Sequence, residues 1–336
     1  MGVRGEGGGQ HLRDDGIVSP TMPELSVLMP VRDEAPTVGE AIAALRRQAL
    51  ADWELIIVDD RSTDGLAAAV EAAAAGDPRI RLAANRGEGQ VAALNTAYPL
   101  AGGRFIKFAD GDDVLSPLLS HHFAALAAAE AAYHDIRIVG PDLAPINVQR
   151  YGERFRSEPF ALQLRPGIVH PSRSAWMLSR RVADRVFPLP AALVSPHEDY
   201  WIALAIKRYA ASLAYVPQPL YLYRQHAGQI FGGIYNFAPD VVVRRARAML
   251  GVLDVIAADA AGWLAGEPDA PRRIAAMRAY YGLLARERVR ARDIATAPLA
   301  AGARAKLAVI KKLPRAAAAL SRLKSGRAFA ALRRAS

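Results

Sequence analysis

The chain has 336 residues, 52% of them hydrophobic and none of them cysteine. It can therefore build a large core, and it has no disulfides, thiolate nucleophiles or cysteine-based metal sites. The formal charge of +10 is uneven: residues 1–240 carry 23 Lys and Arg against 27 Asp and Glu, whereas residues 241–336 carry 20 against 6. A mildly acidic region followed by a strongly basic one suggests two different tasks, and no apolar stretch approaches the ~20 residues of a membrane-spanning helix.

Residues 1–22 are glycine-rich and charged, with no apolar run behind them, and are expected to be a flexible leader without a signal peptide. Leu25–Val31 is a buried strand ending at the polar turn Arg32-Asp33-Glu34, and Thr37 with Glu40 three residues on has the form of a capping box. Trp53–Val58 is a second strand, stopping at Asp59-Asp60-Arg61-Ser62-Thr63-Asp64-Gly65. An Ala-rich helix, a short strand at Ile80–Leu82 and a helix from Gly89 to Leu100 follow. The strand Arg104–Ala109 then runs into Asp110-Gly111-Asp112-Asp113.

Such alternation predicts an α/β fold on a mostly parallel sheet flanked by helices, where ligands bind beyond the carboxyl ends of the strands. Three polar clusters lie at such ends: Arg32–Glu34, Asp59–Asp64 and Asp110–Asp113. Residues 135–225 are less regular, with strands at Ser174–Ser179 and Leu213–Tyr223 and a helix at Tyr200–Tyr209. From Val241 onward the pattern is helical. The organisation expected is a leader (1–22), a catalytic domain (23–238) and a basic α-helical C-terminal extension (239–336).

The chemistry concentrates in carboxylates. Asp110 and Asp112, two apart at a strand end, suit one hard cation, Mg²⁺ or Mn²⁺, which takes one or two protein carboxylates and fills its shell with water and phosphate oxygens. Gly111 between them would leave room for a bulky ligand. An acidic turn starting the next helix at Ser116-Pro117 explains the same residues equally well. Asp60 can accept from a pyrimidine N3–H, while Ser62 and Asp64 read as helix caps. Glu198 and Asp199 open a helix, where carboxylates often only complement the dipole. Arg224 could meet phosphate, and His226 could ligate a metal or bond a phosphate oxygen. His170, just ahead of a strand, is kept with Glu198 as a candidate phosphate or acceptor contact.

Taken together, Leu25–Glu34, Trp53–Gly65, Arg104–Pro117, Pro196–Ile206 and Tyr223–His226 resemble, in order and spacing, family 2 of the inverting glycosyltransferases, with the GT-A fold. The resemblance covers roughly residues 24–235. It implies that Asp60 binds the nucleobase, which packs against Pro30, Val31 and Arg32, with Glu34 in the same nucleotide-binding turn. Many members have an aromatic residue where Arg32 stands, so a guanidinium plane would have to stack instead. It further implies that Asp112 holds the metal, that Asp110 serves ribose or metal, that Asp199 is the catalytic base and that His226 reaches the metal or diphosphate.

The implied activity is inverting transfer of a single sugar from a nucleotide-diphosphate sugar, UDP-sugar favoured, to an acceptor hydroxyl on a glycan or lipid-linked molecule of the cell envelope. The Gln-X-X-Arg-Trp motif and membrane helices of processive synthases are absent. A non-catalytic nucleotide-sugar-binding module and, more remotely, a sugar-nucleotide pyrophosphorylase are the alternatives. A dinucleotide-binding enzyme fails because Pro30–Glu34 stands where Gly-X-Gly-X-X-Gly belongs.

Residues 299–335 combine Lys306, Lys311, Lys312, Arg315 and Arg322 with an apolar stripe and no acidic residue. This reads either as a helix lying on an anionic membrane surface or as a helix packed on the catalytic domain. With few aromatics in the tail and an acidic main domain, no nucleic-acid partner is expected. The location expected is cytoplasmic, with the inner face of the cell membrane as the surface the tail would meet.

Overall fold

A computed structural model describes residues 22–193, 197–226, 228–230, 233–234, 236, 238–258, 262 and 264–289. The leader, apart from Met22, and the basic tail over 299–335 lie outside the described residues, so neither expectation is addressed by it.

In chain order the strands are β1 (Leu25–Val31), β2 (Trp53–Asp59), β3 (Ile80–Ala84), β4 (Phe105–Phe108), β5 (Val114–Leu115), β6 (Ala131–Val139), β7 (Pro145–Gln149), β8 (Trp176–Ser179) and β9 (Leu213–Arg224). The helices are α1 (Ala35–Arg46), α2 (Leu66–Ala74), α3 (Gly89–Ala97), α4 (Ser120–Leu126), α5 (Arg154–Ser157), α6 (Arg180–Val186), α7 (Glu198–Tyr209), α8 (Pro239–Ala258) and α9 (Ala270–Leu284). One sheet runs β3-β2-β1-β4-β8-β6-β9-β5, with β7 on the side of β6. Its first half, β3-β2-β1-β4, is parallel. Beyond β4 the sheet is mixed: β8 pairs antiparallel with β4 and β6, while β6 and β9 pair in parallel.

β1 is apolar on both faces because both are covered, as the central strand of an α/β sheet requires. Val27, Met29 and Val31 face a core shared with Val38, Ile42 and Leu45 of α1. Leu28 faces the opposite core, which takes in α3, α6, α7, α8 and α9. In that second core Met249, Val252 and Leu253 of α8 and Met277 of α9 are buried, and the Tyr200 hydroxyl lies 3.4 Å from the Met277 sulfur. The first two helices of the basic region are thus continuous with the core of the main domain.

Two local expectations are corrected. α1 starts at Ala35, so Thr37 sits inside its first turn, with its hydroxyl 3.3 Å from the Glu34 carbonyl. The exposed Ala35 N–H is instead accepted by the Asp64 carboxylate at 2.7 Å, across from the β2 loop. Strand β6, which pairs with three neighbours, lies where the sequence looked irregular. It is buried on both faces, with His134 and Asp135 inside the run, so it lacks the alternation that marks a half-exposed strand.

Candidate active site

The loops after β1, β2 and β4 open at one edge of the sheet, since β1 and β2 end in register at Val31 and Asp59, and β4 pairs with β1 up to Leu28 and Phe108. Together with the start of α7, the end of β9 and one turn of α8 they line a cleft of about 1190 Å³. Pro30, Val31, Arg32, Glu34, Asp60, Asp110, Asp112, Glu198, Asp199, Arg224 and His226 all line it, whereas His170 does not.

At one end Asp60 is buried at the tip of β2, its N–H donating to the Val31 carbonyl at 2.8 Å. Its two carboxylate oxygens accept from the Asn85 amide at 2.7 Å and the Gly89 N–H at 2.9 Å. The Arg32 and Arg61 guanidinium groups stand 3.9 and 3.7 Å from it. The loop Asn85–Gly89, given no contact from the sequence, is therefore the clamp on Asp60. Its signal was an Asn four residues ahead of a helix-starting Gly, and that Gly takes a positive φ of 81°. Asp33 and Arg61 also have positive φ, 54° and 63°. These turns are tied together by hydrogen bonds from the Asp33 N–H to Ser62 Oγ, 2.9 Å, and from the Thr63 N–H to Asp33 Oδ1, 2.7 Å.

At the β4 end the four residues of the acidic turn part ways. Asp112 accepts from, or shares a proton with, His226 Nε2 at 3.0 Å, and Gln229 Nε2 approaches the same oxygen at 3.4 Å. Asp110 is ion-paired to the buried Arg173, and its N–H donates to the Tyr221 hydroxyl at 2.8 Å. A cation already sits on Asp110, so the pair expected to share one metal does not converge as two free carboxylates. Asp113 does not open a helix, since α4 begins only at Ser120. Its side chain is buried, pushed well above the usual carboxylate range by burial and then by Asp112, and it accepts the Arg224 N–H at 2.7 Å. Among the described residues no three or more His, Asp or Glu side chains cluster as a metal cage.

Gly111 is small for an internal reason, not for a ligand. A Cβ there would fall 2.7 Å from Val31 Cγ1 and collide with the Glu34 carboxyl. Glu34 lines the cleft but folds over this turn, and burial, then Asp112 and Asp110, holds it well above its ordinary range.

Opposite, the first turn of α7 presents Glu198 and Asp199. Glu198 is buried, with the His197 N–H donating to its Oε2 at 3.2 Å. Burial and then the Glu198 charge push the Asp199 carboxyl up to about 7, against the pull of Arg173. A carboxyl poised there is half ionised near neutral pH, as a general base should be.

Two candidates are corrected. Arg224 is not directed at a phosphate: its Nε donates to the Asp112 carbonyl at 2.7 Å, Nη1 to the Pro141 carbonyl, and Nη2 pairs with Glu40, the residue expected to cap α1. It is a strut under the Asp110–Asp113 turn. His170 stacks on Tyr200 with ring centroids 4.5 Å apart and meets Phe155 edge-on, and burial drives it down to about 3. It is a neutral packing residue. Arg173 and Arg245, which do line the cleft, drew no notice in the sequence.

Residues 26–187 match the family described as glycosyl transferase family 2. This stretch of the chain is a glycosyl transferase family 2 region. The matched stretch holds Asp60, Asp110, Asp112 and Arg173 and ends before Asp199 and His226. Among family relatives, the uncharacterized glycosyltransferase EpsJ of Bacillus subtilis is 28% identical over 233 residues, 65% of this chain and 66% of its own length. The Escherichia coli UDP-Glc:alpha-D-GlcNAc-diphosphoundecaprenol beta-1,3-glucosyltransferase WfgD is 31% identical over 131 residues, 36% of this chain and 51% of its own length. The chain thus spans between half and two-thirds of these relatives.

The glycosyltransferase fold is GT-A, shared with solved structures at low identity. Staphylococcus aureus TarS 1–349 in complex with UDP has a TM-score of 0.53 at 15% identity, over 91% of this chain and 89% of that one. The mannosyltransferase PcManGT of Pyrobaculum calidifontis, solved with GDP-Man and Mn2+, has a TM-score of 0.54 at 19% identity, over 93% and 88%.

Proposed function

We propose that the protein transfers a single sugar from a nucleotide-diphosphate sugar, UDP-sugar favoured, to an acceptor hydroxyl with inversion of configuration, in the assembly of a cell-envelope glycan. The observation that carries this reading is that Asp60, the Asp112–His226 pair and the Asp199 carboxyl, raised to about 7, all face one cleft. Relatives such as WfgD, whose name gives a diphosphoundecaprenol-linked sugar as its acceptor, support a lipid-linked acceptor.

Asp60, held by Asn85 and Gly89, keeps lone pairs for a pyrimidine N3–H, and Arg32 at the mouth offers a flat cation to cover the base. Asp110 faces the ribose. A carboxylate beside an imidazole, 3.0 Å apart, is a donor set that suits Mn²⁺ or Mg²⁺ completed by phosphate and water oxygens. Asp112 and His226 would hold that ion, which supplies positive charge to the departing diphosphate. Asp199 takes the proton of the acceptor hydroxyl as that oxygen attacks the anomeric carbon opposite the leaving group. Glu198, buried beside it, keeps Asp199 basic.

No helix among the described residues is long and apolar enough to cross a membrane, and contact with an anionic membrane surface is proposed for the tail from its charge pattern alone. Release of nucleoside diphosphate from a panel of UDP-, dTDP- and GDP-sugars, with and without Mn²⁺, tests the reading. Metal-dependent turnover of a UDP-sugar is expected, and a chain that binds donors yet never releases diphosphate would be a binding module.

A further inference from the structure

Arg173 stands between the two halves of the cleft. It belongs to the short 3₁₀ turn Arg173–Ala175 ahead of β8, is 4% exposed, and lines the cleft with Ser172 and Ser174. Its guanidinium pairs with Asp110 on the donor side, and its backbone hydrogen-bonds the Asp199 carboxyl on the acceptor side. The turn is anchored from below by the fully buried Lys107 of β4, whose ammonium donates to the Ser174 carbonyl. Lys107 thus leaves the strand that runs into Asp110, so strand β4 is tied to the Arg173 turn at two points, Lys107 to Ser174 and Asp110 to Arg173.

We propose that Arg173 is the positioning residue of this site, registering the donor-side Asp110 against the acceptor-side Asp199 and supplying the positive charge that keeps Asp199 a usable base. The proposal rests on the transferase reading above for its kinetic arm only.

The charged and titratable groups around Asp199 are Glu198 on its own helix, Arg173, Asp110 after β4, Tyr151 ahead of α5 and Tyr223 on β9. Of these Arg173 is the cation. The other four either repel a carboxylate or are neutral at working pH, so Arg173 alone in this set favours the ionised form. Burial lifts Asp199, and Arg173 keeps it from rising out of the neutral range.

The test compares the unsubstituted full chain with Arg173→Gln and Arg173→Lys. It measures kcat and donor KM from pH 6 to pH 9 and follows the Asp199 carboxyl by ¹³C NMR. Removing an opposite charge at this range is expected to raise the Asp199 titration by about one pH unit. Its ionised fraction at pH 7 then falls from about a half to about a tenth, so Arg173→Gln loses about fivefold more in kcat at pH 7 than at pH 9. Arg173→Lys keeps the charge, so its acid limb stays in place. An ammonium cannot reproduce the planar fork on Asp110, however, and the donor KM is expected to rise about tenfold.

An Arg173→Gln chain with an unmoved Asp199 titration and equal losses at pH 7 and pH 9 overturns the charge role. An unchanged donor KM in Arg173→Lys overturns the positioning role, and this variant with its NMR titration carries the test if the glutamine chain fails to fold, a shifted Asp199 then counting against the proposal. A wild-type chain that turns over no nucleotide sugar defeats the transferase reading, and the carboxyl titrations of both variants still decide the role of Arg173.

Discussion

Replacing Asp199 by Asn should make the protein more stable and far less active, with the stability gain growing as pH rises from about 4 to about 8. The Asp199 carboxyl moves from an ordinary 3.8 to about 7 in the folded chain, chiefly through burial. Because the folded value is the higher one, the folded state holds the proton longer. The contribution of Asp199 to stability is complete below about 3.8 and is lost as pH rises through about 7. A gap of about three pH units is worth at most about 4 kcal/mol above pH 8, of which about 1.5–2 kcal/mol is already felt at pH 5. Asn carries no charge at any pH. The stability difference between variant and parent should therefore grow by about 2–3 kcal/mol between pH 5 and pH 8.5, several degrees in Tm.

Parallel thermal unfolding of both chains at the two pH values measures this. In the same proteins nucleoside diphosphate release at pH 8 should fall ~10²–10⁴-fold in the variant, and the parent's kcat should rise with pH along a limb centred near 7. A Tm difference that does not change with pH would refute the assignment of a carboxyl raised to about 7 to Asp199. Full activity in the Asn variant would remove it from the base role.

Three further outcomes follow from the geometry. Gly111→Ala forces its methyl against Val31 and the Glu34 carboxyl, and should cost about 1–3 kcal/mol in denaturant unfolding even with no ligand present; an unchanged midpoint would return Gly111 to a ligand-clearance role. Arg224→Ala leaves the Asp112 and Pro141 carbonyls without their donor and should destabilise the fold by about 1–3 kcal/mol, whereas a mere phosphate contact would raise donor KM on an intact fold. His226→Gln should raise the Mn²⁺ concentration needed for half-maximal activity ~10–100-fold and leave Tm without metal nearly unchanged, and an unaltered Mn²⁺ requirement would remove His226 from the metal site.

Much of the arrangement was legible in the sequence because it is local. Apolar runs that stop at acidic turns mark strands whose ends face a ligand, and this put Asp60 and Asp112 at one edge of the sheet, whereas Asp199 and His226 joined them only through the resemblance to the family. Local patterns fail where a side chain is claimed by a distant partner. Glu40 looked like a capping-box residue and is bonded to Arg224, 184 positions away; Arg224 looked like a phosphate ligand and is a strut. Spacing alone offered Asp110 and Asp112 to one cation, yet one lies on Arg173 and the other on His226.

The sequence by itself determined the strand–helix alternation, the parallel half of the sheet and the acidic turns at its strand ends, because strand periodicity and turn composition are written in consecutive residues, and five blocks in order carried the resemblance to the family. Tertiary structure alone decided which of those carboxylates keep a free face, which are paired with arginine and which are raised toward neutrality. Ionisation depends on burial and on charges brought in from other strands, and neither has any period along the chain.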